Sequence, residues 1–227
     1  MNGDEIKKLM NRYGCGPVKL SGSEDALYER RLVFDHVIAP ESAGAREQFE
    51  ALSAALRDVL SQRWLKTSQM HDAENPKQVY YLSMEFLIGR SLSNNILNLQ
   101  LTPLAGAFEK ANGVKLDELA EQEPDAGLGN GGLGRLTACF IDSLATLEIP
   151  AMGYGLRYDY GIFRQDMANG NQVEQPDPWL TRPDPCEVAR PNDTTTVPIG
   201  SSFDVHEGQI QVHRGHPTQL LGVPYDR

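Results

Sequence analysis

The chain has 227 residues, a formal net charge of -10 and a pI near 5.0, with 40% hydrophobic and 23% charged residues. That balance fits one large or two small soluble globular domains, and it excludes a surface built to track nucleic-acid phosphates or anionic lipid, which needs clustered Lys and Arg. The first residues, MNGDEIKKLMNRYG, carry no apolar run of signal-peptide length, and no later stretch is long and apolar enough for a membrane span; the expectation is a cytoplasmic protein with no nucleic-acid or membrane partner.

The three cysteines, Cys15, Cys139 and Cys186, are odd in number and far apart, which fits neither a disulfide framework nor a CxxC metal half-site. They are expected to be reduced thiols, with Cys139 buried in a helix.

In chain order, DALYERRLVFDHVIAP reads as a short helix or strand stopped by Pro40. From Ala45 to about Gln69, Phe49, Leu52, Leu56, Val59, Leu60 and Trp64 recur at spacings of three and four, the pattern of an amphipathic helix. After Asn75-Pro76, the aromatic and β-branched run Gln78–Leu82 predicts a buried strand. A loop, SMEFLIGR, follows, and then a helix carrying Leu92, Ile96 and Leu99. Short helices are expected between Pro103 and Ala120, broken at Asn112-Gly113.

Residues 121–150 comprise an acidic lead-in, a glycine cluster, a helical pattern from Arg135 to Glu148 and a proline stop, and AMGYGLRYDYGIF then fits a strand and a tight turn. From Thr194 onward, alternating runs with Glu207-Gly208 as a hairpin turn predict a small antiparallel sheet. The chain ends in GVPYDR without a closing helix or polar tail, which predicts a truncated polypeptide.

Gly127, Gly129, Gly131, Gly132 and Gly134 lie within eight residues, in AGLGNGGLGRL. Glycine loses the most backbone entropy on folding, so such a run needs a packing or binding reason. The helix that follows offers one, because the backbone N–H groups of its first turn have no intrahelical partner and sit at the positive end of the helix dipole, where an anion such as phosphate is stabilised. A second reading is that the glycines only permit tight packing of loop on helix. A third is a dinucleotide fold, since GxGxxG occurs from Gly127 and again from Gly129, but that fold needs a hydrophobic strand immediately upstream, where EQEPDA is acidic and turn-like. A Walker A loop is excluded by Gly134-Arg135-Leu136 in place of Gly-Lys-Ser/Thr.

The blocks VYYLSMEFLIGRSLSNNILNL (79–99) and EPDAGLGNGGLGRLTACFIDSLATLEIPAMGYGLRYDYGIFRQ (123–165), with PWL at 178–180, resemble the α-glucan phosphorylases, the glycogen and maltodextrin phosphorylases, in a bacterial-like form. The likeness reaches, more weakly, from about Ala45. It implies an α/β chain forming part of the N-terminal Rossmann-like domain of a GT-B glycosyltransferase, with the small antiparallel sheet toward the C-terminus. Residues 1–40 would be an N-terminal extension and 41–227 a partial N-terminal phosphorylase domain, without the C-terminal cofactor domain.

The implied reaction is phosphorolysis of α-1,4-glucan to glucose 1-phosphate, with glucan and inorganic phosphate as substrates and a homodimer as the full-length state. The implied cofactor is pyridoxal 5'-phosphate, held by a lysine that this chain does not contain. By the same resemblance, the amides of Gly131 and Gly132 face the substrate and cofactor phosphates, that of Leu133 approaches the glucose, Asn130 shapes the loop, and Glu85 lines the catalytic cleft. Glu85 can equally be a paired carboxylate that holds the strand end, and Arg157, Tyr158, Asp159 and Tyr160 are expected to hold the following loop to the core.

His206, His213 and His216 do not complete a metal-ligand set, so no metal site is expected. Trp64 lies in the region that carries a nucleotide effector site in the animal enzymes, yet Lys66, Ser68, Met70, His71 and Asp72 supply no aromatic to stack on adenine. The N-terminus also lacks a basic segment around a serine. Control by AMP or phosphorylation is therefore not expected, and Trp64 is read as a core or dimer contact. The fragment alone is expected to be inactive. The reading from another class is a non-catalytic module that binds glucan or dimerises.

Overall fold

The computed structural model describes residues 25–200, 202–213 and 218–227; Cys15 and His216 lie outside them. The chain divides into two compact units, one ending at Pro185 and the other spanning Cys186–Arg227.

The first unit opens with a helical layer. Helix α1 (Asp25–Phe34) packs on α2 (Ala45–Glu74), and α3 (Leu92–Asn98), α4 (Thr102–Asn112) and α5 (Leu116–Ala120) close over them. Their shared core is Tyr28, Leu32, Phe49, Leu52, Leu56, Leu92, Ile96, Phe108 and Leu119 with small alanines between. The periodicity that predicts α2 is the stripe that is buried, because Phe49, Leu52, Leu56 and Val59 fall on one face; each large side chain taken from water contributes about 1.5–3 kcal/mol. The Tyr28 and Phe108 rings meet edge to face at 4.7 Å. Beyond Leu60 the described residues bury little of the stripe. Trp64 is 44% exposed, so it is not a core residue here.

Side chains rather than local caps close this layer. The Glu123 carboxylate, 4% exposed, accepts the Ser91 N–H (2.7 Å), the Ser91 hydroxyl (2.9 Å) and the Leu92 N–H (2.9 Å) at the start of α3. It thereby does from thirty residues away in sequence what an N-cap side chain does locally. Glu109 accepts the Leu116 N–H at the start of α5 in the same manner. Arg46 reaches the Gln122 carbonyl (2.6 Å) and Glu50 (2.6 Å) and lies over the Phe49 ring.

The second layer of this unit is small. Strand β1 (Val79–Leu82) pairs in parallel with β4 (Ala151–Tyr154), Val79 opposite Ala151 and Leu82 opposite Tyr154. Parallel strands require a crossover, and its last helix, α6 (Gly132–Thr146), packs beside β4. The dipeptide strands β2 (Phe86–Leu87) and β3 (Gly127–Leu128) pair antiparallel at the mouth of that crossover. The mixture of helices and small sheets agrees with the expected α/β class. The expected full burial of residues 78–82 does not occur: Tyr81 faces the Phe86 and Phe140 rings, while Leu82 is 76% exposed. A two-stranded ribbon covered on one side leaves every second residue in solvent.

Cys139 is likewise exposed. The buried stripe of α6 runs through Gly134, Thr137 and Ala138, and one further residue rotates the side chain about 100° away from it. The chain then forms a hairpin absent from the sequence reading, β5 (Arg164–Ala168) with β6 (Asn171–Gln175). Its turn residues Asn169 and Gly170 have φ of 53° and 76°, the double left-handed geometry that favours Asn-Gly. That dipeptide was the available signal.

The second unit is a set of nested antiparallel pairs: β7 (Val188–Ala189) with β12 (Tyr225–Asp226), β8 (Thr195–Ile199) with β11 (Thr218–Gly222), and β9 (Ser202–His206) with β10 (Gln209–His213). The expected turn at Glu207-Gly208 is present, with φ of 51° and 76°. Near the ribbon's base Arg190 pairs with Asp226 at 2.6 Å.

Two stability predictions follow from the helical layer. Glu123→Ala strands two backbone donors and a hydroxyl, and is expected to lower stability by about 2–3 kcal/mol, read as a fall in the urea midpoint, with Glu123→Gln losing less. Burial, aided by the charge of Glu29, pushes the Tyr28 hydroxyl up to about 12. The unfolded chain then releases this proton near pH 10 while the folded chain retains it, so stability is intact below pH ~10 and falls as pH rises toward ~12. Among the described residues that hydroxyl has no hydrogen-bond partner, so Tyr28→Phe should leave stability at pH ~7 nearly unchanged and remove this alkaline loss, as followed by unfolding at a series of pH values.

Candidate functional site

The glycine run forms a loop clamped between the β2–β3 pair and the first turn of α6. Gly131 is the residue before the helix, and its carbonyl accepts the first helical bond, from the Arg135 N–H (3.0 Å). The amides of Gly132, Leu133 and Gly134 therefore have no partner within the helix. Among the described residues no side chain hydrogen-bonds these amides, in contrast to α3, where Glu123 occupies the equivalent place. The open amides and the positive end of a fifteen-residue helix favour an anion. A Cβ on Gly131 or Gly132 would meet nothing within 4 Å, so the space beside these two Cα atoms is open.

Gly129 and Gly134 are different. A Cβ on Gly129 would lie 3.2 Å from the Leu87 Cβ, 3.3 Å from a Glu85 carboxylate oxygen and 3.3 Å from the Gly134 Cα; one on Gly134 would lie 3.2 Å from Glu85 and Leu87 atoms. These two glycines are needed so that the strand bearing Glu85 can lie against the loop and the helix start. The packing reason for the glycine run is thus met at Gly129 and Gly134.

Glu85 sits in this contact. Its Oε2 accepts the Asn130 N–H at 3.1 Å, and its backbone is fixed by Ser83, whose hydroxyl donates to the Glu85 carbonyl (2.9 Å) and accepts the Glu85 N–H (3.2 Å). The fully buried Thr137 hydroxyl lies 3.3 Å from Ser83 Oγ and 3.0 Å from the Leu133 carbonyl. Ser83 and Thr137, which the sequence reading passed over, tie Glu85 to the first turn of α6. The signal available for Ser83 was a hydroxyl two residues before a loop carboxylate, a common local turn bond; nothing in the sequence distinguished Thr137 from an ordinary helix residue.

Among the sequence-nominated residues, Glu85 and Asn130 are in direct contact, and Gly131, Gly132 and Leu133 follow on the same turn. Asn130 joins the contact through its backbone N–H; its side chain makes no hydrogen bond among the described residues. The Leu133 side chain is 60% exposed. Of the following aromatic group, the Tyr158 hydroxyl donates to the Met84 carbonyl (3.0 Å) and the Tyr158 carbonyl accepts the Trp179 Nε1–H (2.9 Å), while the Arg157 guanidinium lies over the Trp179 ring. These contacts anchor the 157–160 segment beside Glu85.

Residues 121–126 ahead of Gly127 form turn and coil, not the strand that a dinucleotide fold requires. Among the described residues no group of three His, Cys, Asp or Glu is arranged to hold a metal ion, and no helix is long and apolar enough to cross a membrane.

The family described as carbohydrate phosphorylase matches residues 109–227, a span that includes the glycine loop and α6. The chain is 50% identical over 174 residues to a glycogen phosphorylase of Chlamydia trachomatis, an alignment covering 76% of this chain and 21% of that protein. It is 46% identical to a glycogen phosphorylase of Synechocystis sp., over 82% of this chain and 22% of the relative. It is 49% identical to the brain form of glycogen phosphorylase of Rattus norvegicus, over 88% and 24%. The chain thus spans about a fifth to a quarter of the length of these curated relatives. With the loop geometry and these matches together, the chain belongs to the carbohydrate phosphorylase family.

Proposed function

We propose that this chain is the N-terminal part of an α-1,4-glucan phosphorylase, a cytoplasmic homodimer at full length, that releases glucose 1-phosphate from glycogen or maltodextrin. The observation that carries the reading is the uncapped start of α6, with free amides at Gly132, Leu133 and Gly134 behind open space at Gly131 and Gly132, in a chain about half identical to glycogen phosphorylases. Residues 41–227 would then belong to the N-terminal, Rossmann-like half of a GT-B enzyme; the parallel β1–β4 pair with its helical crossover is consistent with that.

The loop's contribution is electrostatic. Neutral amides stabilise phosphate oxygens through fixed dipoles and, unlike Lys or His, bring no proton that could exchange with them. Gly131 and Gly132 would face phosphate, and the Leu133 amide would approach the glucose. Glu85 would line the cleft beside them, its carboxylate held in place by the Asn130 N–H, with Asn130 keeping the loop at that distance. The negative charge of Glu85 beside an anion site suits the recognition of sugar hydroxyls better than of phosphate.

Pyridoxal 5'-phosphate fits the same open amides through its phosphate, and when bound it supplies a phosphate that exchanges protons with the substrate phosphate. None of the lysines of this chain falls in the segments 83–90 and 121–135 that build the loop and its wall, so these residues offer the phosphate contact and not the covalent anchor.

Two outcomes test this reading. The isolated 227-residue chain should retain no pyridoxal absorbance after gel filtration and form no glucose 1-phosphate from glycogen and phosphate; turnover above background would refute the division of labour. In the full-length protein, Gly134→Ala should push the helix start off Glu85 and Leu87 and lower kcat/KM by about 10²-fold, the scale of a misplacement of about 1 Å, with little change in the circular dichroism of the fold.

A further inference from the structure

The sequence contains four Asn-Gly pairs, at 2–3, 112–113, 130–131 and 169–170, of which the last three are described. Asn-Gly is the dipeptide most open to intramolecular attack on the asparagine side chain, because glycine puts no side chain beside the attacking nitrogen. The folded structure treats the three pairs very differently.

Asn112 is locked. Its side-chain amide donates to the Phe108 carbonyl (3.0 Å), and the Gly113 N–H, which would have to become the nucleophile, donates to the Glu109 carbonyl (2.9 Å). The pair also closes the C-terminal end of α4, whose negative dipole end opposes the build-up of negative charge on a deprotonated amide. Asn169 is pinned at φ 53° in a tight turn between the paired residues Ala168 and Asn171.

Among the described residues Asn130 is held through its backbone N–H alone, by the Glu85 carboxylate. It is exposed, its carboxamide makes no hydrogen bond and the Gly131 N–H donates none among the described residues, and the space around Gly131 is open. The Gly131 nitrogen also stands at the positive end of α6, which stabilises the amide anion that attacks and the oxyanion that forms.

We propose that Asn130-Gly131 is a self-modification site, at which the folded protein converts asparagine to aspartate and isoaspartate. The Gly131 nitrogen gives its proton to solvent base and bonds to the Asn130 side-chain carbonyl carbon. The bond from that carbon to Nδ2 breaks, Nδ2 takes a proton from water, and ammonia leaves a five-membered succinimide. Water then opens the ring at either carbonyl, so the net change is one water consumed and one ammonia released, with no oxidant or reductant. Opening at the main-chain carbonyl sends the backbone through Cβ, lengthening it by one carbon between the Glu85 contact and the helix start. Either product adds a carboxylate beside the open amides. The chemistry of conversion does not depend on the proposed enzymatic role.

The test is peptide mapping of the full-length protein after incubation at mildly alkaline pH. The tryptic peptide 116–135 contains Asn130 as its one asparagine, so a gain of about 1 Da, located at Asn130 and not at Gln122 by fragmentation and with isoaspartate confirmed by methyltransferase labelling, reports this site. Conversion at Asn130 several-fold faster than at Asn112 and Asn169, with the preference lost when the protein is unfolded in urea, supports the proposal. Equal or slower conversion at Asn130 in the folded protein overturns it. Gly131→Ala, whose Cβ meets nothing within 4 Å, keeps the fold while crowding the nucleophile; it should suppress the mass gain at Asn130 and leave the rates at Asn112 and Asn169 as they were, and an undiminished gain would also overturn the assignment.

Discussion

The close approach of the Glu85–Leu87 strand to Gly129 and Gly134 is the constraint on which the site depends. It permits the β2–β3 pairing, brings the Glu85 carboxylate to the Asn130 N–H, and sets the first turn of α6 with its amides uncovered. A methyl group at either glycine would require Leu87 and Glu85 to give by a few tenths of an ångström, in an interior packed at crystal-like density. The entropy lost in ordering five glycines is offset by this contact, and the same contact leaves Gly131 and Gly132 free to face whatever enters.

Two helix starts in the first unit show how the fold spends its polar groups. At α3 the buried Glu123 satisfies the orphan N–H groups and makes that end structural. At α6 no side chain does so among the described residues. A carboxylate cap adds to stability and closes an anion site; an uncapped end forgoes that stability and keeps the site open. The difference lies in which helix a distant carboxylate reaches. The openness that suits anion binding also exposes Asn130-Gly131 to its own chemistry, while Asn112-Gly113, closed by hydrogen bonds at the other end of a helix, is protected.

The apolar residues divide along similar lines. In the helical layer the sequence stripe and the buried stripe coincide, because five helices supply surface on every side of Phe49, Leu52 and Leu56. In the β1–β4 pair and along the Cys186–Arg227 ribbon, apolar residues such as Leu82, Val205 and Ile210 remain exposed, since a two-stranded ribbon offers each residue one neighbour strand and at most one covered face. Hydrophobicity therefore identified the strand at 78–82 but overstated its burial.

Local chemistry by itself determined a helix from Ala45 to about Gln69, one carrying Leu92 and Ile96, short helices between Pro103 and Ala120, the breaks at Asn112-Gly113 and Glu207-Gly208, and the helix that follows the glycine run, because periodicity, glycine conformations and proline stops act within a few residues. It also nominated the glycine run as a place for phosphate, since the unpaired first-turn amides of a glycine-led helix are a local feature. The Asn169-Gly170 hairpin carries an equally local signal. Tertiary structure alone decided that Glu123 caps α3 from thirty residues downstream, that Ser83 and Thr137 fix Glu85 against α6, that Gly129 and Gly134 serve packing while Gly131 and Gly132 face open space, and that Cys139 and Trp64 are exposed. Each of those depends on which distant segment arrives beside a residue, and spacing along the chain does not encode that.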